Sequence, residues 1–405
     1  PTECAFRKFM LKGVDMRQHV RKFNIYETIS KAYFTGKAVF IDNQNALGNI
    51  VKGDKLEFVM DMGYGKIREG VLHVLNTEKT EPNQSLRANH VIMNFIDGIY
   101  YKDEATLVQH AFGPGIIGSQ AIASLAQQYL GESVKILATS LGPLSKESHV
   151  ISSLKPFTAI NRIKEGLTYA QSKTGTSLFF KDKTGLILSP LETLFQQMSP
   201  QQTFTQKTTW GANWYDIGDA FNSIMMSTIE IDPEKNGQDH TTAKIKQEQQ
   251  VFDLRTKQLV INNMASPIGL GKVAGSASAI ISGLQQFANI SRHGGVPNYQ
   301  IMDTAKFNPA THSSAKTMQE RLYQGMIQNG PIISIKVPIQ SGIECTVGKG
   351  IIAKLLPPAG DYSGYTSSSV GGLMLVTDLC HEFNNTDKKV KATTTLRCAK
   401  GGLNQ

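Results

Sequence analysis

Apolar and polar residues alternate with a period of two through most of the first hundred positions. Leu56-Glu57-Phe58-Val59-Met60-Asp61 is the clearest case, and this alternation predicts a half-buried strand. Tyr33 to Asp42, Lys66 to Asn76 and Asn89 to Ile96 follow the same pattern. Asp42-Asn43, Gly53-Asp54, Gly63-Tyr64-Gly65 and Glu81-Pro82-Asn83 supply turn chemistry between them. Several antiparallel strands at this spacing predict a small barrel or sandwich from Ala5 to Gly98.

The period then changes. Ala105 to Phe112 reads as helix, and Gly113-Pro114-Gly115 interrupts it. Ile117 to Leu130 places Ile122, Leu125, Ala126, Tyr129 and Leu130 on one face at helical spacing, with Gly131 as its end. Pro156 to Gln171 predicts another helix, with Ile160, Ile163, Leu167 and Ala170 on its apolar face. Ser177 to Leu188 predicts two short strands joined at Gly185, where positive φ is expected, and Pro190 to Met198 turns helical again. Residues 203–262 are strand-like and polar. The stretch from Met264 to Pro331 is rich in Gly, Ala, Ser and Asn, with one helix over Ser314 to Gln328.

A second strand-rich block closes the chain: Ile332 to Pro338, Cys345 to Leu355, Leu373 to Phe383 and Val390 to Cys398. The expected fold class is α+β: two similar antiparallel β-barrel domains plus an inserted α/β module and a loop-rich insertion. The boundaries are residues 1–112 for the first barrel and 113–202 for the helix–hairpin–helix module. Residues 203–405 form the second barrel, built from 203–262 and 331–405 around the insertion at 263–330. A chain of 405 residues has room for two to four domains.

Composition narrows the function classes. Charged residues are 19% and hydrophobic residues 40%, as in a soluble globular protein. The net charge of +9 is spread without a long basic run, so direct nucleic-acid binding is not the favoured reading. The densest cluster, Asp387-Lys388-Lys389-Val390-Lys391, reads as a hairpin turn. Cys4, Cys345, Cys380 and Cys398 form no CxxC pair and are spaced too widely for a zinc ribbon. They read as buried thiols of a reducing cytosol, with a Cys380–Cys398 disulfide as the less favoured option. The Pro1-Thr2-Glu3 start shows no signal-peptide succession, and no apolar run reaches membrane-helix length.

Candidate chemistry is sparse. Gly113-Pro114-Gly115-Ile116-Ile117-Gly118 matches G-x-G-x-x-G before a helix. Pro114 removes a donor, however, a helix is expected before the motif, and no acid lies about twenty positions on. A break between helices accounts for it better than a nucleotide site. Lys173-Thr174-Gly175, Lys183-Thr184-Gly185 and Ser152 to Lys155 imitate penicillin-binding motifs, but Ser-Asp-Asn is absent and the second Lys-Thr-Gly fits a hairpin turn. Nine histidines are scattered without HExxH, and His381 is expected to sit hydrogen-bonded in a strand. Trp210, Trp214 and Tyr215 could bind sugar, though packing against a partner is the preferred reading. The sequence therefore points to no catalytic residue, no cofactor and no metal ligand.

Several segments, in order, resemble the baseplate hub proteins of contractile-tailed bacteriophages, the tail hub or late control protein D-like family. Ile25 to Leu47 resembles that family's first strand pair, and Ile50 to Met62 the following strand. Lys155 to Phe195 is the strongest match: a Pro-Phe-initiated helix, a strand, a Gly turn, a strand and a Leu-rich segment. Ser314–Gln328 with the strands after it, Gly371 to Phe383 and Thr393 to Gly402 complete the series. The match is weakest across Trp210–Asn263 and Met264–Asn308.

The resemblance implies a structural, non-enzymatic homotrimer whose three chains supply six similar barrels to one ring. Its implied partners are further copies of itself, a central spike protein, tail tube or tube-initiator proteins, and baseplate wedge proteins. Genomic DNA passes through the lumen without specific binding, nothing inserts into a membrane, and the location is the virion tail. The alternatives are the hub of a related contractile injection or secretion machine, a tail protein of a non-contractile phage, or a nucleotide-binding enzyme.

Overall fold

The computed structural model describes residues 4–42, 47, 49–62, 66–79, 90–144, 148–167, 169, 177–196, 199–206, 223–226, 228–231, 248–253, 258–263, 298–302, 332–338, 345–354, 372–386 and 389–399. It is mostly β-sheet with few helices. The chain opens with β1 (Ala5–Leu11), β2 (Val14–Asp15), β3 (Val20–Thr28), β4 (Thr35–Ile41), β5 (Lys55–Asp61), β6 (Ile67–Lys79) and β7 (His90–Asp97). Next come α1 (Gly98–Ala105), β8 (Val108–Phe112), α2 (Gly118–Leu125) running into a π-helical turn (Ala126–Leu130), β9 (Val134–Ile136) and β10 (His149–Leu154). The module continues with α3 (Pro156–Lys164), β11 (Ser177–Asp182), β12 (Gly185–Pro190) and α4 (Leu191–Gln196). After it follow β13 (Pro200–Gln206), β14 (Ser223–Met226), β15 (Thr228–Ile231), β16 (Glu248–Asp253), β17 (Gln258–Asn263) and β18 (Asn298–Met302). The last strands are β19 (Ile332–Pro338), β20 (Gly350–Lys354), β21 (Gly372–Thr386) and β22 (Lys389–Ala399).

The alternation read in the first block places its side chains as expected. β4, β5 and β7 turn Ala38 and Phe40, Leu56, Phe58 and Met60, and Val91, Met93 and Phe95 inward. These pack with Phe9 and Phe23, whose rings meet edge to face at 5.0 Å. Gly36 is required at a close approach, since a Cβ there would lie 2.8 Å from Leu72 Cδ1. This core is not made by the first block alone. Phe383 of β21 and Ala392 of β22 belong to it, and Phe383 stacks on Phe23 at 6.4 Å.

That sharing follows from one continuous sheet. Its path runs β14-β13-β20-β21-β3-β4-β7-β6-β5-β1-β2, with β22 and β19 branching from β21 and β15 following β19. β21 pairs with β3 through Asp378–Asn384 and with β20 through Gly372–Leu375, while β22 lies along its other edge. The β21–β22 hairpin is long enough to serve both ends of the chain. Asp387 and Lys388, expected at its turn, lie outside the described residues.

Three sequence expectations are corrected. Val108–Phe112 is a strand paired with β10, not the end of a helix. The helix stops at Ala105, and Thr106 is already extended; Val108 and Phe112 then bury in phase while Gln109 and Ala111 face out. The second block is not purely antiparallel, because β13 runs parallel to both β14 and β20. Third, β16 and β17 join β18 in a separate sheet rather than the main one. The helix expected over Ser314–Gln328 lies outside the described residues.

Between the two sets of strands, α1, α2, the π-turn and α3 share a core with Phe179, Leu186 and Leu188 of the β11–β12 hairpin. Pro156 starts α3, where a missing N–H costs nothing. Gly131 ends the π-turn in the left-handed region at φ 68°.

Candidate functional site

The glycine-rich motif is occupied by its own structure. A strand precedes it and a helix follows, yet Ser140 Oγ already accepts from the Ser119 amide at 2.9 Å, and Ser119 Oγ accepts from the Ser140 amide. A Cβ on Gly118 would meet Leu167 Cδ2 at 2.3 Å. The motif closes the start of α2 against its neighbours and leaves no cradle for a pyrophosphate at that end. β8 and β10 run antiparallel, which is also not the strand–helix–strand unit of a dinucleotide site.

The other candidates are placed as follows. Asp182 Oδ1 accepts from the Thr184 amide, the Thr184 hydroxyl and the Gly185 amide, so Lys183-Thr184-Gly185 is the β11–β12 turn, with Gly185 at φ 133°. Lys173–Gly175 lies outside the described residues. Ser152 sits in β10 and Lys155 pairs with Glu104 at 2.6 Å, so the two do not form a nucleophile–lysine couple. His381 is fully buried in β21, with Nδ1 2.7 Å from Thr394 Oγ1. All four cysteines are free thiols. β21 and β22 are adjacent, but the register sets Cys398 opposite Val376 and Cys380 opposite Thr395. Trp210, Trp214 and Tyr215 lie outside the described residues. Among the described residues, no cluster of His, Cys, Asp or Glu has metal-site geometry, and no helix is long and apolar enough to cross a membrane.

The structure instead gathers charge where the first strands, the C-terminal hairpin and the α/β module meet. Glu27 of β3 and Arg68 of β6 form a buried ion pair. Glu27 follows Phe23 and Ile25 on the inward phase of its strand, and Arg68 precedes Leu72 on the inward phase of β6. His381 lies between inward Leu379 and Phe383 on β21, directly opposite Ile25. Burial raises the Glu27 carboxyl to about 7, although Arg68 and the Val347 amide favour its charged form; nearby Asp182 adds to the rise. Burial, then the Arg68 charge, push His381 down to about 3. These residues were missed as a site, but a signal existed: each is a charged or titratable residue on the apolar phase of a strand.

A groove of about 610 Å³ opens beside this cluster. Phe34 lies in it with Arg68 and Lys181 over its ring at 5.3 and 5.6 Å. Lys181 Nζ is 2.7 Å from Asp97 and 4.0 Å from Glu132, which ties the β11–β12 hairpin to the end of β7. The Asp97 side chain also caps α1 by accepting from the Ile99 amide. Lys102 donates to the Leu130 carbonyl at 2.9 Å. The lining mixes charged and apolar side chains.

No family model and no curated protein matches the chain. Solved structures do match its fold. A tail protein from Neisseria meningitidis aligns over 99% of this chain and 98% of its own, at 12% identity and a TM-score of 0.57. The 43 kDa tail protein of a Shewanella oneidensis prophage aligns over 98% of both chains, at 9% identity and a TM-score of 0.54. At these identities the likeness is one of fold, and it runs the length of the chain.

Proposed function

We propose that this chain is the structural hub of a phage-tail baseplate, a homotrimeric ring joining a central spike to the tail tube. The observation that carries the reading is the β21–β22 hairpin, which serves two strand sets at once. One end completes the core of β1 and β3–β7, and the other pairs with β19 and β20, beside β13 and β14. On this reading each set is a barrel, and residues 1–112, 113–202 and 203–405 are the domains. A rigid hairpin common to both barrels would fix their spacing. Fixed spacing is what a threefold assembly needs to present six near-equivalent units to a sixfold partner. The full-length fold likeness to two tail proteins, one of them from a prophage, supports the same conclusion.

The remaining assignments belong to the same proposal. The spike occupies the threefold end, the tube or its initiator the pseudo-sixfold end, and wedge proteins the outside. Genomic DNA crosses the lumen without specific contacts, and the protein resides in the virion without enzymatic activity, cofactor or metal. Sedimentation and imaging of the purified protein test it. Three 44.4 kDa chains give about 133 kDa in a threefold ring with a central opening. A particle that stays monomeric at micromolar concentration would remove the proposal.

A further inference from the structure

β6 outlasts β7, and among the described residues the difference leaves an open backbone edge. β5 pairs with β6 from Ile67 to His73, whereas β7 pairs with it only from Leu72 to Lys79. From Ile67 to Val71 the side of β6 away from β5 has no strand partner among the described residues. β7 stops because Asp97 caps α1 and the chain turns away into that helix. The groove runs along this stretch, with Lys102 contributed by α1 and Lys181 and Lys183 by the β11–β12 hairpin. Ile67 and Val71 stand 42% and 43% exposed on the outward phase. Unpaired edges with apolar side chains invite another strand, and proteins ordinarily cover or blunt them.

We propose that this edge is a strand-addition site for an extended, acidic arm of a partner protein. Main-chain hydrogen bonds to residues 67–71 would hold the arm, and its alternate side chains would face Ile67 and Val71 on one side and the lysines on the other. The charge preference follows from the remaining partners. Arg68 is engaged by Glu27, and Lys181 by Asp97 and Glu132. Lys102 has only the Leu130 carbonyl and no carboxylate within ion-pair range among the described residues, so its charge is left for an incoming acid. Glu69 stands exposed between Ile67 and Val71, so a backbone charged at every unit, such as a polyphosphate, is disfavoured, whereas an alternating arm turns its apolar positions to this side. A lysine-rich arm would instead meet Lys102.

A fluorescent peptide of roughly ten residues alternating valine and glutamate is the probe. It is expected to bind saturably and to slow amide exchange across residues 67–71. The Ile67→Asn/Val71→Asn double variant, altered at exposed positions, should bind at least about fivefold more weakly, and Lys102→Glu should weaken binding similarly. A valine–lysine peptide, or the acidic peptide with two central prolines, should not bind. Absence of saturable binding below about 1 mM, or equal binding of the proline peptide, overturns the proposal. The assay reads binding whatever the oligomeric state, so its failure leaves the hub reading standing.

Discussion

Glu27, Arg68 and His381 occupy the inward phase of three strands, in positions that would otherwise hold apolar side chains. Glu27 keeps a proton in the folded chain up to about pH 7 that it releases near 4.5 when unfolded. Its contribution to stability is fully present below pH 4.5 and lost as pH rises through 7. His381 acts in the opposite direction, because its folded value of about 3 lies below the ordinary 6.5. Its neutral form fits the core above 6.5, and stability is lost as pH falls from there toward 3. Between about pH 4.5 and 6.5 the two slopes oppose each other. Glu27→Gln should therefore leave stability rising with pH across this window, and His381→Asn should leave it falling. Urea midpoints at about pH 5 and about pH 6.5 read the two signs. Slopes of the same sign in both variants would show that the pair does not compete.

At the scale of elements, the C-terminal hairpin is the piece on which the others depend. Phe383 is fully buried among Phe6, Phe23 and the rest of the first core. Phe383→Ala should cost about 3–5 kcal/mol and should raise amide exchange in β3, more than three hundred positions away in sequence. Exchange that rises only within β21 and β22 would contradict this coupling. Gly348, just before β20, makes a second link. It sits at φ 76°, and a Cβ there would lie 2.6 Å from Phe180 Cζ of β11. Gly348→Ala should cost about 1–3 kcal/mol from backbone strain and overpacking together. Adding Phe180→Leu should recover the packing part and leave the φ part, which a double-mutant cycle separates.

For the whole molecule, the first core is completed by Phe383 and Ala392 of the β21–β22 hairpin, so the N-terminal strands are not a self-sufficient unit. A fragment covering residues 1–206 should show weak protection in β3, and a peptide spanning 372–399 added in trans should restore it. Native-like protection in the fragment alone would count against the shared hairpin. The same long-range pairing explains what a linear reading reached and what it missed. β4, β5, β6 and β7 were legible because their strands bury one face and the period of two survives in the sequence. Val108–Phe112 was misassigned because five residues between a helix and a Gly-Pro-Gly turn fit either period. The parallel pairing of β13 with β14 and β20 left no trace, since pairing direction is set by where the chain returns and not by which residues alternate.

The sequence by itself determined strands β4 to β7, the β11–β12 turn at Asp182–Gly185 and the start of α3 at Pro156. These are local matters of phase, turn chemistry and capping, complete within a few residues. Only the tertiary structure decided that β21 would join both ends of the chain. It alone brought Glu27, Arg68 and His381 to one place, and left β6 with a strand on only one side along Ile67–Val71 among the described residues. Each of these depends on which strand lies beside which and where a neighbour stops. That is fixed by the burial of Phe23, Phe40, Phe95 and Phe383 in a common core, an outcome of the whole chain and not of any one segment.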